Sequence, residues 1–318
     1  MKKVILLGSV AVLAGCGSSG SGGGGGGGGS VPEVAFTSWD AIAPNTTTVV
    51  SGTSQEVSYT ADAAADRVLE ISAVSPSSSG ATYKVTTDAN NVATRYSVTS
   101  AGGTTVNFSP ANGDVFGDRI IYHPTTQTFT KYNAALTQDG TSLLVATDPD
   151  YSGWDYQSYG VWITGRGQGS GTAGAASIGN RTVASNIPST GNARFVGSTG
   201  GLYVDPTGAS FITASSMVAD VSFADRTVGF VTRDTVGGTP QTLLAGGSLS
   251  SGSALNMTGS MTYAPGSNSM SGTVSTASGM TGTINGAFFG PNASEIGGTF
   301  ATSGSGIERY AGGFGGKR

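Results

Sequence analysis

The sequence is poor in the residues that build most catalytic and metal-binding sites. It has one cysteine and one histidine in 318 residues, which excludes an intrachain disulfide and a His-rich metal site. Only 11% of the residues are charged, and they form no basic run, so nucleic-acid binding lacks its electrostatic basis. With a formal net charge of −4, the chain has no charge-based attraction to anionic lipid either.

The common hydrolytic sites are also missing. A serine hydrolase needs a base beside its nucleophile, and the chain offers only His123 and no G-x-S-x-G elbow. A glycosidase needs two paired carboxylates, and no pair stands out among the 19 acidic residues. We therefore predict that the protein is not an enzyme and that it carries no cofactor.

Glycine, serine and threonine are abundant instead, with 53 glycines in the chain. The low charge argues against the usual disordered composition. No segment after residue 30 shows a sustained period of 3.6 residues, whereas short alternating segments separated by Gly, Asn, Ser and Pro recur. This pattern predicts an all-β fold.

The first 16 residues read MKKVILLGSVAVLAGC. Lys2 and Lys3 precede an apolar stretch that is too short to span a bilayer but suits a signal peptide. Leu13-Ala14-Gly15-Cys16 then matches the lipobox of bacterial lipoproteins. The resemblance implies cleavage after residue 15 and acylation of Cys16, with chains such as palmitate that anchor the protein to a membrane. The alternative is an ordinary secretory signal with a chance cysteine.

Residues 16–30 are predicted to form a lipidated Gly/Ser linker. They include eight consecutive glycines from Gly22 to Gly29. The Gly-rich residues 17–30 are expected to have an end-to-end distance of roughly 20 Å. A phosphate-binding loop would need a strand and a helix as flanks, and neither is present. No Asp follows Cys16, which by analogy with lipoprotein sorting favours the outer membrane of a Gram-negative cell.

The remaining chain divides near the SNIPSTGN segment into residues 31–185 and 186–318. The second part contains about eight candidate strands, at 193–198, 211–220, 227–233, 253–263, 269–275, 280–289, 296–301 and 307–314. Eight antiparallel strands close into a small barrel that side chains fill. A membrane-spanning barrel would show an outward apolar band and aromatic girdles, whereas Ser, Thr and Gly occupy many alternating positions here. We therefore predict a soluble barrel.

Three segments near the carboxyl terminus resemble the transferrin-binding protein B family: GAFFGPNASEIGGTF at 286–300, GGFGGKR at 312–318 and FADRTV at 223–228. In the first, Gly290-Pro291 breaks a strand and Gly297-Gly298 lets the last hairpin begin. The resemblance implies a β-rich handle domain, residues 31–185, followed by an eight-stranded barrel, as in the related factor H-binding protein. It also implies a surface lipoprotein that binds a host protein or assists an outer-membrane receptor in metal or haem uptake.

The densest aromatic cluster surrounds Tyr151. Exposed Tyr and Trp side chains make good interface anchors, which makes four residues candidates for ligand contact: Trp154, Tyr156, Tyr159 and Trp162. Trp154, Tyr156 and Trp162 also share a period of two, which indicates one strand face packed on a core. Both interpretations stay open.

Two other groups of residues have weaker functional interpretations. Asp148, Asp150 and Asp155 could bind Ca²⁺, but their spacing is not that of an EF-hand and Asp-Pro-Asp favours a turn. His123 could ligate haem iron, but it also fits the end of an ordinary strand. We predict no metal site in either place.

Together these features predict a monomeric, outer-membrane-anchored lipoprotein, exposed at the cell surface. It would act as a binding module for a protein or small ligand, as an accessory to a TonB-dependent receptor. A genomic neighbour encoding such a receptor would favour this function. The alternative is a structural or adhesive surface lipoprotein with no transported ligand.

Overall fold

A computed structural model describes residues 31–318 as an all-β protein built from two sheets. Residues 1–30, which contain the predicted signal peptide, Cys16 and the Gly/Ser linker, lie outside the described residues. None of the helices in residues 31–318 has the length and hydrophobicity needed to cross a membrane.

The first sheet has 11 strands. In space the main path runs β6-β5-β4-β2-β11-β10-β9-β8-β7, and β1 and β3 both pair with β2. All pairings are antiparallel except that of β1 with β2. The strands are β1 (Glu33–Ala35), β2 (Thr47–Asp62), β3 (Arg67–Ile71), β4 (Ser78–Thr87), β5 (Ala93–Thr99), β6 (Thr105–Phe108), β7 (Val115–His123), β8 (Thr128–Leu136), β9 (Leu143–Thr147), β10 (Gln157–Ile163) and β11 (Ser170–Gly179).

The second sheet is a closed barrel. Its eight long strands follow the order β13-β12-β20-β19-β18-β17-β16-β14, and the pairing of β13 with β14 closes the ring. The short β15 only extends the edge of β14. The strands are β12 (Asn192–Val204), β13 (Ser210–Ser222), β14 (Thr227–Gly238), β15 (Ser250–Ser251), β16 (Met257–Tyr263), β17 (Met270–Thr276), β18 (Thr281–Phe289), β19 (Glu295–Ser303) and β20 (Arg309–Lys317). The predicted eight-stranded antiparallel barrel is confirmed.

The helices are short and lie in connections. Two are α-helical, α1 (Pro149–Ser152) and α2 (Pro240–Leu244), and five are 3-10 turns: Trp39–Ala41, Pro110–Asn112, Ala184–Asn186, Ser253–Leu255 and Pro291–Ala293. The turn at Ser253–Leu255 corrects the predicted strand 253–263, which starts only at Met257. The strands of the first sheet end at Gly179 and those of the barrel begin at Asn192; the division at 185/186 stays a prediction.

Apolar side chains fill the barrel. Along β16 the buried residues Met257, Met261 and Tyr263 alternate with exposed ones, as expected when one face of each strand points inward. The Phe230 and Phe314 rings approach to 5.0 Å between centroids. The fully buried aromatic side chains of this cluster are Phe195, Phe230, Phe288, Phe300, Tyr310 and Phe314.

One hydrophobic cluster is shared by the first sheet and the barrel. It joins Tyr132 and Val161 of the first sheet to Leu202, Ile212 and Leu243 of the barrel side. Burial of apolar surface therefore holds the two sheets together, at about 25 cal/mol for each Å² removed from water. The two sheets therefore have a defined relative position, and residues from both can form one site.

Candidate functional site

The barrel meets the first sheet along a glycine-lined face. On β20, Phe314 is buried in the barrel cluster, and the flanking Gly313 and Gly315 face the other way. A Cβ at Gly313 would come 2.7 Å from Cβ of Tyr159, and one at Gly315 would come 2.3 Å from Nε2 of Gln157. Because these positions carry no side chain, β10 approaches β20 closely.

The same constraint explains the paired glycines of β19. Gly297 and Gly298 lie near the beginning of β19, the first strand of the last hairpin β19–β20. A Cβ at Gly297 would come 2.9 Å from Oε1 of Gln157, and one at Gly298 would come 2.7 Å from the Phe314 ring. The glycines of the GGTF and GGFGGKR segments therefore leave room for neighbouring side chains. At Gly297 that side chain is Gln157 of the first sheet, and at Gly298 it is Phe314 in the barrel core.

Hydrogen bonds cross this interface. The Tyr159 hydroxyl lies 2.8 Å from the Ser198 hydroxyl, and the Tyr132 hydroxyl donates to the Thr199 carbonyl at 2.8 Å. Such bonds orient the two sheets, since a buried polar group left without a partner costs about 1–3 kcal/mol.

A buried carboxylate also joins the two parts. Glu295 accepts the backbone N–H groups of Asp155 at 2.7 Å and Tyr156 at 3.1 Å. Burial raises the pKa of Glu295 to about 7, although both hydrogen bonds and the nearby Lys317 pull the pKa down. Glu295 thus fixes the loop that leads into β10.

The structure separates the four aromatic candidates. β10 begins only at Gln157, so Trp154 and Tyr156 precede the strand, and the prediction of one continuous face is wrong for them. Trp154 and Tyr159 share one hydrophobic cluster with ring centroids 6.0 Å apart, whereas Trp162 belongs to another. All three are buried and Tyr156 is half-buried. Their contact with a ligand stays a prediction.

Two of the three aspartates, Asp148 and Asp155, have separate partners. Asp148 caps α1 through the Tyr151 N–H and lies 3.2 Å from the Lys131 ammonium. Asp155 lies 3.0 Å from the Lys317 ammonium. Within residues 31–318, no group of three His, Cys, Asp or Glu side chains is placed to hold a metal ion.

His123 is fully buried at the end of β7, and neither ring nitrogen has a hydrogen-bond partner. Burial lowers its pKa to about 4, opposed by the nearby Asp234 carboxylate. The imidazole is therefore neutral at pH 7, and haem ligation stays an untested hypothesis.

An exposed apolar surface lies on the hairpin of β7 and β8. Ile120, Tyr122 and Phe129 are 49%, 50% and 53% exposed, and the rings of Tyr122 and Phe129 lie 4.9 Å apart. Lys131, opposite Ile120 in the register, borders this surface and pairs with Asp118. We call Ile120, Tyr122 and Phe129 the β7–β8 apolar face.

This face was not predicted from the sequence. The signal was present in the run Ile120-Ile121-Tyr122, where apolar residues occupy consecutive positions of a strand. Because successive side chains point to opposite faces, such a run places apolar groups on the outer face whenever only the inner face is covered.

Comparisons with known proteins find a family model that matches the barrel. The family model described as the C-lobe and N-lobe beta barrels of Tf-binding protein B matches residues 187–318. No curated protein sequence matches the chain.

Solved structures with similar folds include transferrin-binding protein B from Haemophilus parasuis Hp5 (a mutant), with 11% identity over 91% of this chain and 78% of that one, and a TM-score of 0.43. The isotype 1 protein from serogroup B Neisseria meningitidis shows 14% identity over 77% and 60% of the two chains, with a TM-score of 0.38. A surface lipoprotein shows 11% identity over 84% and 98%, with a TM-score of 0.42. By its closed eight-stranded topology and its match to the family model, the part of this chain from residue 187 to 318 resembles the β-barrel lobes of Tf-binding protein B.

Proposed function

We propose that this chain is a surface lipoprotein of the outer membrane whose folded part binds a protein partner through the β7–β8 apolar face. The observation that carries the proposal is the paired exposure of Tyr122 and Phe129. Exposed aromatic pairs of this kind mark interaction surfaces because they bury large apolar area when a partner covers them. The proposal assigns no catalytic activity to the chain.

The anchor part of the proposal rests on the sequence around Cys16. Acylation there attaches the chain to the membrane, and the glycine linker of residues 17–30 spans roughly 20 Å. This length allows the folded part to stand clear of the lipid headgroups. A labelled palmitate should be incorporated into the protein in cells and lost in Cys16→Ser, with the variant leaving the membrane fraction. Incorporation that survives the substitution would contradict the anchor.

The partner is a protein ligand or a TonB-dependent receptor of the same membrane. Transferrin is the first probe because the matching family model and the similar structures are named for it. Solubilised outer membranes are the second probe, since they present receptors. Binding of transferrin would indicate a captured soluble ligand, whereas binding of a receptor from the solubilised membranes would indicate a membrane partner.

The test immobilises residues 31–318 and compares the parent with a Tyr122→Ser, Phe129→Ser double variant. Binding of one probe to the parent should fall about tenfold or more in the double variant, since loss of an interface anchor costs about 2 kcal/mol or more. Tyr151→Ser is the matched control, because Tyr151 is also exposed (45%) but lies outside this face. Equal binding by all three proteins would reject the face as the contact surface. No specific binding by the folded parent would favour the structural or adhesive alternative.

A further inference from the structure

A cleft with a volume of about 400 Å³ lies between the first sheet and the barrel. The hairpins β2–β3 and β10–β11 form one wall, and β12, β13 and the start of α2 form the other. One end is closed because the Val68 N–H donates to the Gly208 carbonyl at 2.9 Å and Arg67 donates to the Thr207 carbonyl. None of the lining residues belongs to the β7–β8 apolar face.

The walls of the cleft are largely apolar. Ile71 and Ile163 line the side of the first sheet, and Leu202 and Val204 line the side of the barrel. The two tyrosine hydroxyls at the cleft already donate hydrogen bonds, Tyr59 to the Thr164 carbonyl at 2.6 Å and Tyr203 to the Glu308 carboxylate at 2.8 Å. Neither hydroxyl proton is therefore available to a bound molecule.

Charge distinguishes this cleft from the rest of the chain. Its charged residues are Arg67, Arg166 and Asp66, so the lining is net positive in a protein whose net charge is −4. The Arg166 side chain is only 12% exposed, yet its nearest carboxylate, on the exposed Asp66, is 3.9 Å away. The Arg166 guanidinium also donates a 3.3 Å hydrogen bond to the Gly140 carbonyl.

The Arg166 guanidinium is suited to bind an anion, because it is largely buried and its nearest carboxylate is distant. Its planar fork matches the two oxygens of a carboxylate, and charge-assisted bonds are strengthened where water is scarce. The competing ion pair between Arg166 and Asp66 is long and its carboxylate is exposed, so breaking it to bind another anion costs little free energy. The volume falls in the range of small-molecule sites, which lie preferentially between domains.

We propose that this cleft binds a small amphipathic anion, with its carboxylate on Arg166 and its hydrocarbon body against Ile71, Ile163, Leu202 and Val204. The ligand class is a monocarboxylate with an aliphatic chain. This site goes beyond the proposed protein-binding function because it uses different residues and a different kind of ligand.

The test is calorimetric titration of residues 31–318, which contain both sheets and all three hydrophobic clusters. Decanoate is the probe, kept below its micelle concentration. Acetate supplies the charge without the chain, and decyltrimethylammonium supplies the chain with the opposite charge. Decanoate should bind, and the other two should bind at least about tenfold more weakly, because each lacks one of the two recognised groups.

Arg166→Met should weaken decanoate binding about tenfold or more through the lost charge-assisted bonds. Arg194→Met is the control, because Arg194 is an exposed barrel arginine paired with Asp220, and it should bind like the parent. Should Arg166→Met not fold, Ile71→Asp tests the same cleft by adding a like charge to the half-buried wall, and it should also weaken decanoate binding. The proposal is overturned if decanoate does not bind, if acetate or the cation binds equally well, or if the folded cleft variant binds decanoate like the parent.

Discussion

Gln157 lies directly against Gly315, so that a Cβ at residue 315 would come 2.3 Å from the Gln157 side-chain nitrogen. The backbone of Gln157 is held from the other side as well, because its carbonyl accepts the Trp39 indole N–H at 3.0 Å. β10 is thus fixed between the Trp39 turn and the glycine face of the barrel. The relative position of the two sheets depends on the absence of side chains at a few barrel positions.

Gly315→Ala should therefore destabilise the protein. The added methyl group collides with a fully buried side chain, and overpacking of this kind costs about 1–3 kcal/mol. The free energy of unfolding in urea measures the effect. Gly229→Ala is the matched control, because Gly229 is an exposed strand residue and a Cβ there would come no closer than 3.9 Å to a neighbouring atom, the Asp220 carbonyl oxygen. It should be neutral or slightly stabilising, and an equally neutral Gly315→Ala would show that β10 can move away.

Removal of the buried carboxylate at residue 295 should destabilise the folded protein. Glu295→Ala leaves the N–H groups of Asp155 and Tyr156 without their acceptor, at about 1–3 kcal/mol for each buried donor. Chemical unfolding should show a loss on the order of 2–5 kcal/mol. Glu33→Ala, which removes an exposed partner of Lys84, should change the unfolding free energy by less than about 1 kcal/mol. A small loss in Glu295→Ala would mean that water replaces the carboxylate.

His123 should make stability depend on pH. Its pKa is lowered from 6.5 to about 4 in the folded state, so the unfolded chain binds the proton more tightly. The contribution of His123 is constant above about pH 6.5, and stability falls as the pH drops from 6.5 toward 4, by on the order of 3 kcal/mol in total.

Comparison with His123→Leu isolates this effect. The variant should be at least as stable as the parent at pH 7, because it removes two buried nitrogens that lack partners. The difference in unfolding free energy between the variant and the parent should then grow in favour of the variant as the pH falls below 6.5. Glu295, whose pKa is raised, acts with the opposite sign between about pH 4.5 and 7, but it is common to both proteins and cancels in the difference. A difference that does not change with pH would contradict the buried neutral state.

The barrel was predictable from its sequence because its strands alternate. Met257, Met261 and Tyr263 are buried between exposed positions, and this period of two is visible without a structure. β11 has no such signal, since it reads SGTAGAASIG. Its residues are small for a tertiary reason: a Cβ at Gly174 would come 2.3 Å from the Trp162 ring. Close approach to a bulky residue on the neighbouring strand leaves no periodic pattern in the sequence.

The candidate site was less predictable for a related reason. The aromatic cluster around Trp154 was conspicuous, but composition does not say whether a Trp faces a core or solvent. The β7–β8 apolar face depends on Tyr122 and Phe129 being opposite each other in the register. The cleft at Arg166 depends on the hairpins β2–β3 and β10–β11, which are distant in sequence from the α2 turn on its other wall. The face requires the pairing of β7 with β8, and the cleft requires the two sheets to dock.

Substitutions at Trp154 and Tyr156 should separate a core role from a contact role. Trp154 is buried and packs on Tyr159, so Trp154→Ala should cost about 3–5 kcal/mol in unfolding free energy. Tyr156 is half-buried, and Tyr156→Ala should cost clearly less, whereas the exposed Tyr151→Ala should stay within about 0.5 kcal/mol of the parent. Partner affinity measured on the same folded proteins completes the comparison. A loss of affinity in Tyr156→Ala that exceeds its loss of stability would establish a contact role, because the remaining fold is intact. A loss confined to Trp154→Ala, and in proportion to its unfolding, would mark the whole cluster as core.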